Sequence, residues 1–338
     1  LIIDRMRHYI IPIFIPELAC PNRCIYCNQR YISGQINQPE KEEIIEKINS
    51  HLSTFKSPCQ VELAFFGGSF TGIEPQKQIE YLEIIQPYIK SGEIESIRLS
   101  TRPDYINESI LQTLKDYNVK TIELGAQSLC QDVLDYAQRG HRVEDVENAS
   151  KLIIDKGFDL GLQMMIGLPK DSIEKSIISA EKIVSLGAKS TRIYPTLVIE
   201  NTELANLYRK GEYTPLGLED AVIWVAKIYK IFYNNNVKIL RVGLHPSESL
   251  INKTELLAGA FHVSFRELVL TQIWKEELDQ IPKDKTKHLT ITTNPKSKNH
   301  AIGNNGRNRT SLQAQFRFVS YQEDPVLKEF EFNYTLSD

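Results

Sequence analysis

Two rhythms of apolar and polar positions alternate along roughly the first 250 residues. Short runs rich in β-branched and apolar residues, at 11–15, 61–66, 96–100, 121–125, 160–166, 192–197 and 238–242, read as strands. Between them lie longer stretches with apolar residues three and four apart. Residues 40–54 carry Ile44, Ile45, Ile48 and Leu52 in this spacing, and 173–186 and 218–233 repeat the pattern, as amphipathic helices do. Strands separated by helices of this length form parallel sheets, and seven such units imply an α/β fold that is a barrel or most of one.

Each expected strand runs into a polar or glycine-bearing loop. These are the segment holding Cys20, Cys24 and Cys27, then Gly67-Gly68-Ser69-Phe70-Thr71-Gly72, Thr101-Arg102-Pro103-Asp104, Gly125-Ala126-Gln127-Ser128, Gly167-Leu168-Pro169, Tyr194-Pro195-Thr196 and Gly243-Leu244-His245-Pro246. Any one loop is ordinary punctuation. Together they put the unusual chemistry at strand C-termini, where αβ barrels build their sites.

Beyond residue 258 the pattern changes. Residues 259–282 read as a linker helix with Leu268, Leu270, Ile273 and Trp274 on one face. After it come a strand at 289–293, a short helix at 296–302, the tight loop Gly303-Asn304-Asn305-Gly306, a helix at 307–315 and a strand at 316–321. The tail from 323 to 338 reads as an acidic edge strand without an assigned role. The expected organisation is a barrel over 1–258, the linker, and a small α+β unit over 283–338.

Composition narrows the function classes. With 338 residues and 41% of them hydrophobic, the chain can bury a substantial core. The apolar run at 9–15 is far shorter than the ~20 residues of a membrane span, so a cytoplasmic protein is expected. A net charge of −3 gives no general attraction for nucleic acid. The exception is local: between 283 and 309 seven Lys or Arg residues face one acid, Asp284.

The run Ala-Cys20-Pro-Asn-Arg-Cys24-Ile-Tyr26-Cys27 carries the most specific chemistry. Three thiolates can hold three irons of a four-iron four-sulfur cluster and leave the fourth iron open. A structural zinc site would need a fourth ligand, and His8 and His51 are distant in sequence. An odd total of five cysteines, without a secretory leader, argues against disulfides. Cys59 and Cys130 have no spacing for a second cluster, which speaks against methylthiolating enzymes. His141, His245 and His262 each read as loop or packing residues, because none has a visible partner in sequence.

This Cys-x3-Cys-x2-Cys spacing, with Tyr26 before the last cysteine, resembles the cluster loop of the radical S-adenosylmethionine (SAM) superfamily. The resemblance implies that the open iron chelates the methionine end of SAM and that an injected electron cleaves the sulfonium to a 5′-deoxyadenosyl radical. Gly67-Gly68-Ser69 is similar to the superfamily's glycine motif, with Ser69 where an acidic residue is usual. Ser100-Thr-Arg-Pro-Asp104, Gly125-Ala-Gln127-Ser128 and Gln138-Arg139-Gly-His141 resemble the branch holding the Elongator catalytic subunit and oxygen-independent coproporphyrinogen oxidases. Carried over, this likeness assigns Ser100, Gln127, Arg139 and Gln163 to the ribose and carboxylate of SAM, and Tyr26 to the adenine. Arg139 has a guanidinium fork suited to a carboxylate, with an ion pair to Asp132 or Asp135 as the plain alternative.

The C-terminal order resembles the minimal core of a KH domain, in which a Gly-x-x-Gly loop between two helices clamps nucleic-acid backbone. That likeness makes Gly303, Asn304, Asn305, Gly306, Arg307 and Arg309 the expected contacts. Two asparagines stand where a basic residue is common, and a helix-turn-helix corner would look the same. The expected protein is a radical SAM enzyme acting on tRNA or rRNA, supplied with electrons by a flavodoxin or ferredoxin. Two alternatives are a radical enzyme for a small molecule such as a tetrapyrrole and a non-catalytic iron-sulfur RNA-binding protein. Unlike the Elongator catalytic subunit, the chain shows no room for an acetyltransferase domain, so carboxymethylation of uridine from acetyl-CoA does not simply transfer by the resemblance.

Overall fold

The computed structural model describes residues 7–15, 24–27, 38–245, 248–252 and 254–338. In chain order the elements are β1 (Arg7–Ile15), α1 (Lys41–Thr54), β2 (Cys59–Gly67), α2 (Pro75–Ser91), β3 (Ser96–Thr101), α3 (Glu108–Asp116) and β4 (Val119–Gln127). Then follow α4 (Gln131–Tyr136), α5 (Val143–Asp155), β5 (Asp159–Ile166), α6 (Ile173–Ser185), β6 (Ser190–Pro195), β7 (Leu197–Ile199), α7 (Glu203–Arg209), α8 (Leu218–Asn234) and β8 (Lys238–Val242). The chain ends with α9 (Glu248–Ile251), β9 (Leu256–Gly259), α10 (Phe265–Leu278), β10 (His288–Thr293), α11 (Lys298–Ile302), α12 (Arg307–Gln313), β11 (Phe318–Glu323) and β12 (Phe332–Ser337).

Local chemistry starts and stops the helices. The side chains of Asn107, Ser172 and Thr202 accept from the first turns of α3, α6 and α7, satisfying amides that have no partner within the helix. Pro75 opens α2, and left-handed Gly92 ends it.

Seven parallel strands in the order β1-β2-β3-β4-β5-β6-β8 curl into an open part-barrel. Alternate residues face the helices and form the main core, among them Ile11, Ile13, Leu63, Phe65, Leu99, Ile122, Leu124, Leu162 and Ile193. The residues between them line the concave face, as the two-residue period of a strand requires. One expected strand divides. Residues 192–197 are not continuous, because Thr196 donates both its N–H and its hydroxyl to the Ile166 carbonyl, at 3.0 and 2.8 Å. Leu197 then leaves the barrel and pairs with Gly259. Gly259 adopts φ +111°, and a Cβ there would lie 2.8 Å from the Thr196 carbonyl oxygen.

The concave face is charged rather than apolar. Arg98 reaches Glu62 on β2 through Nε and Glu123 on β4 through Nη1, each at 2.8 Å. Arg192 on β6 reaches across β5 to the same Glu123 through Nε at 2.5 Å. Gly161 makes that reach possible, since a Cβ on β5 at this point would meet Glu123 Cγ at 2.8 Å. Burial raises the Glu123 carboxyl, but hydrogen bonds and charge from Arg192 and Arg98 outweigh it and hold the group below its ordinary value.

The C-terminal unit is a three-stranded sheet, β11-β10-β12, with β10 and β11 parallel and β12 antiparallel. Its core contains Trp274, Leu278, Leu289, Ile291, Leu312 and Phe316, and α10 supplies the first two of these. The same helix gives Phe265, Leu268, Val269 and Ile273 to the barrel core. Residues 259–264 are not part of this helix: they hold the end of β9 and a turn. The acidic tail has a structural part. Phe330 packs edge-on against Tyr233 at 5.0 Å and against Tyr229 at 5.9 Å, both on α8, and Tyr233 donates its hydroxyl to the Glu329 carbonyl at 2.7 Å. Two basic residues of the 283–309 surplus are also taken up by the tail, Lys287 by Asp338 and Lys298 by Glu323.

Two outcomes are expected. Glu123→Gln leaves two buried guanidinium groups without their shared charge and should cost about 3–5 kcal/mol in urea unfolding. In the wild type the stabilisation from Glu123 is complete above the ordinary Glu pKa and is lost as pH falls through the depressed native value, so Glu123→Gln should flatten acid unfolding. Phe330→Ala should destabilise by about 2 kcal/mol and selectively raise hydrogen exchange in β10 to β12.

Candidate functional site at the strand ends

The backbone at the ends of β1 and β2 is drawn together. Gly68 donates its N–H to the Ile15 carbonyl at 2.7 Å, while Gly67 has φ +101° and a Cβ there would lie 2.4 Å from the same oxygen. No side chain fits at Gly67. Ser69 is buried next in the chain, and the Thr71 and Thr101 hydroxyls meet at 2.6 Å, fixing this turn to the end of β3.

Cys24 and Cys27 lie in a turn closed by the Cys27 N–H on the Cys24 carbonyl at 3.0 Å. Ile25 anchors it from both sides, donating to the Ala137 carbonyl at 3.2 Å and accepting from the Leu204 N–H at 2.7 Å. Its side chain packs with Val198, Leu204 and Tyr213, and Tyr26 is half-buried against the same group. Cys20 lies outside the described residues.

Arg139 joins this turn to the barrel. Nη1 donates to Cys24 Sγ at 3.6 Å, and Nη2 donates to the Gly125 carbonyl at 3.0 Å. The room comes from Gly125, where a Cβ would lie 2.9 Å from Nη2. The alternative ion pairs do not form: Asp132 pairs with Lys175 at 2.5 Å, and Asp135 accepts from Gln131 at 2.7 Å. Arg102, 1% exposed, forks onto Asp104 with two 2.9 Å hydrogen bonds and gives Nη1 to the Arg139 carbonyl, also at 2.9 Å. Beside it, burial and the charges of Arg139 and Arg102 push His141 down to about 3, so the ring is neutral at ordinary pH.

Further round the concave face, Gln163 donates to Gln127 Oε1 at 3.2 Å. Gln127 has φ +64°, left-handed for a residue with a side chain, and the β4–β5 register shifts beside it. Such strain costs on the order of 1–3 kcal/mol and persists where the surroundings over-determine it. Ser100 is half-buried at the end of β3. Sequence reasoning missed the roles of Arg102 and Asp104, although both lie in the quoted motif, and missed the Glu62–Arg98–Glu123–Arg192 chain entirely. The period-two alternation of Glu62 with Val61 and Leu63 was the available signal.

Other candidates fall elsewhere. His262 accepts a local 3.0 Å hydrogen bond from the Ser264 N–H, His245 is exposed, and Pro246 lies outside the described residues. Cys59 is half-buried against the main core, and Cys130 is half-buried with Sγ donating to the Lys175 carbonyl at 3.7 Å. The Gly303 to Gly306 loop sits on α10. A Cβ at Gly303 would lie 2.9 Å from Thr271 Cγ2, and the Asn304 N–H donates to Thr271 Oγ1 at 2.8 Å. Asn305, Arg307 and Arg309 are exposed. Among the described residues, no helix is long and apolar enough to cross a membrane.

The family description "Radical SAM superfamily" matches residues 15–180, and "Radical_SAM C-terminal domain" matches residues 188–275. The tRNA uridine(34) acetyltransferase of Dehalococcoides mccartyi is 25% identical over 239 residues, 61% of this chain and 52% of the relative. That of Methanocaldococcus jannaschii is 30% identical over 187 residues, 48% of this chain and 34% of the relative. Human Elongator complex protein 3 is 31% identical over 180 residues, 52% of this chain and 32% of the relative. The chain thus spans about a third to a half of these relatives' lengths. The archaeal Elp3 of Methanocaldococcus infernus, with an N-terminal deletion, shares the fold with a TM-score of 0.63 over 81% of this chain and 64% of that one, at 22% identity. Two matched regions taking in most of the chain, on a parallel part-barrel with its cysteine turn at the strand ends, make this protein a member of the radical SAM superfamily, enzymes that work with a four-iron four-sulfur cluster and SAM.

Proposed function

We propose that this enzyme modifies a nucleotide of RNA, with tRNA as the substrate class, and that the unit at 283–338 helps to hold that RNA. The observation that carries the reading is the attachment of a basic β-α-α-β unit to the barrel through α10, which contributes side chains to both cores. A unit held this way keeps a fixed distance from the strand ends. The relatives named as tRNA uridine(34) acetyltransferases support tRNA as the substrate.

Cys20, Cys24 and Cys27 are the residues that would hold the cluster, and the surroundings of Cys24 suit it. Arg139 offers an N–H to that sulfur, and hydrogen bonds to sulfur are one way a protein sets a cluster's potential. When bound, the cluster and SAM supply one-electron chemistry able to remove hydrogen from an unactivated carbon, which side chains cannot do alone. The protein's own part is positioning. Arg139 is held by the Gly125 carbonyl on one nitrogen and by Arg102 through its backbone, and its remaining N–H groups are the proposed donors to the SAM carboxylate. Gln127, Gln163 and Ser100 offer amide and hydroxyl groups to ribose, Tyr26 flanks the adenine, and the turn Gly67-Gly68-Ser69 lets backbone approach the amino group. A flavodoxin or ferredoxin is the proposed electron source.

On the C-terminal unit, Gly303 and Asn304 are engaged with Thr271, so Asn305, Gly306, Arg307 and Arg309 are the proposed backbone contacts. Removing 283–338 would strip cover from Trp274, and point variants are the better test.

Anaerobic reconstitution with iron and sulfide should load about four irons per chain. Cys24→Ala should abolish this, whereas Arg139→Gln should retain the iron and weaken SAM binding about tenfold. Uptake of zinc in place of iron would remove the proposal. Arg307→Glu with Arg309→Glu should weaken tRNA binding and lower its salt slope by about 2, with the melting temperature unchanged. An unaltered slope would place the RNA elsewhere.

A further inference from the structure

Among the described residues, the concave face carries one more arginine than its carboxylates serve. Arg192 on β6 and Arg241 on β8 are register partners on adjacent parallel strands, with the core residues Ile193 and Val242 paired next to them. Their side chains therefore leave the sheet on the same side, from backbones about 4.8 Å apart. Like charges placed directly across neighbouring strands work against the fold.

Arg192 is relieved of this. Glu123 takes two of its nitrogens, Nε at 2.5 Å and Nη2 at 3.2 Å, and its guanidinium lies 4.8 Å above the Phe66 ring. Glu123 also serves Arg98, and Glu62 serves Arg98 and stands 3.8 Å from His8. Both carboxylates are used. Among the described residues Arg241 has one side-chain hydrogen bond, from Nε to the Gly243 carbonyl at 3.1 Å, and no carboxylate pairs with it. That bond ties Nε to the C-terminal end of the strand and leaves the two terminal nitrogens as a fork.

Tyr194 lies two residues along β6 from Arg192, on the same face. Burial raises its hydroxyl, while the charge of Arg192, a side-chain hydrogen bond with it and the charge of Arg241 pull the other way. The three side chains occupy the open edge of the part-barrel, because β8 ends the sheet. An oxyanion there would meet a planar fork, a phenol and a second guanidinium, and would offset the like-charge repulsion between the two arginines.

We infer that Arg241, with Tyr194 and Arg192, forms an anion subsite at the β6–β8 edge of the barrel that binds a phosphate group of the substrate. The source of that phosphate, an RNA backbone, rests on the function proposed above. The subsite itself rests on the two unequally compensated arginines.

The test uses reconstituted holoenzyme and inorganic phosphate, with chloride at matched ionic strength as the reference. Phosphate should raise the wild-type melting temperature beyond chloride, and titration followed by phosphorus NMR should give saturable binding. Arg241→Gln should lose the phosphate-specific rise and bind phosphate about tenfold more weakly. In chloride its melting temperature should match or exceed the wild type, since a repulsion is removed. Arg241→Lys, which keeps charge without the fork, should fall between, and Tyr194→Phe should weaken phosphate severalfold. Equal phosphate affinity in wild type and Arg241→Gln overturns the subsite. So does a loss of SAM affinity in step with phosphate, because the arginine would then serve the cofactor's carboxylate. Should Arg241→Gln not fold, the Lys and Phe variants decide by the same comparison. A 5′-phosphorylated dinucleotide that competes with inorganic phosphate in the wild type alone assigns the source to RNA. Arg241-dependent phosphate binding without any RNA affinity keeps the subsite and removes the RNA reading, and RNA affinity without that dependence does the reverse.

Discussion

A single buried carboxylate organises the inside of this barrel. Glu123 accepts from Arg98 on one side and from Arg192 on the other, so one side chain links β3, β4 and β6 across the concave face. Parallel sheets usually bury both faces against apolar cover, and their strands read as continuous hydrophobic runs. Here the inner face is polar, and charged groups so far from water are tolerable only when they are paired and hydrogen-bonded. The pairing lets a charged layer stand inside the barrel in place of an apolar one. Gly161 is the condition for this arrangement, since any side chain on β5 at that point would separate the partners.

The site above that layer follows the same economy. Gly125 gives way so that Arg139 can hold both the Gly125 carbonyl and Cys24, and Gly67 gives way so that Gly68 can reach Ile15. Each absent Cβ admits a contact between segments far apart in sequence. The cysteine turn is thereby fixed by the element after α4 and by the start of α7, neither of which is near it in the chain. Stability and positioning share the same atoms at these points, so a substitution here disturbs both.

The C-terminal unit is integrated in the same way. Helix α10 buries residues toward both the barrel core and the core of the C-terminal unit, which is why its apolar residues show no single stripe. Phe330 closes the contact from the other end, through rings on α8. The Gly-x-x-Gly loop is accordingly half structural: its first glycine is a packing corner on Thr271, and its exposed half carries Arg307 and Arg309.

By itself the sequence determined the strand-helix rhythm, because strand and helix periods depend on local geometry that every residue shares. Six of the seven strands and the three helical stretches could be placed to within a few residues, and the cysteine spacing stood out because few chemistries need three thiolates so close. The break at Thr196 was not legible, since the Ile166 carbonyl that captures it lies thirty residues earlier in the chain. Nor were the charged lumen and the extra arginine at its edge. Whether Arg192 and Arg241 are compensated depends on which carboxylate stands across two strands, and that is settled by register and curvature, which no short segment of chain encodes.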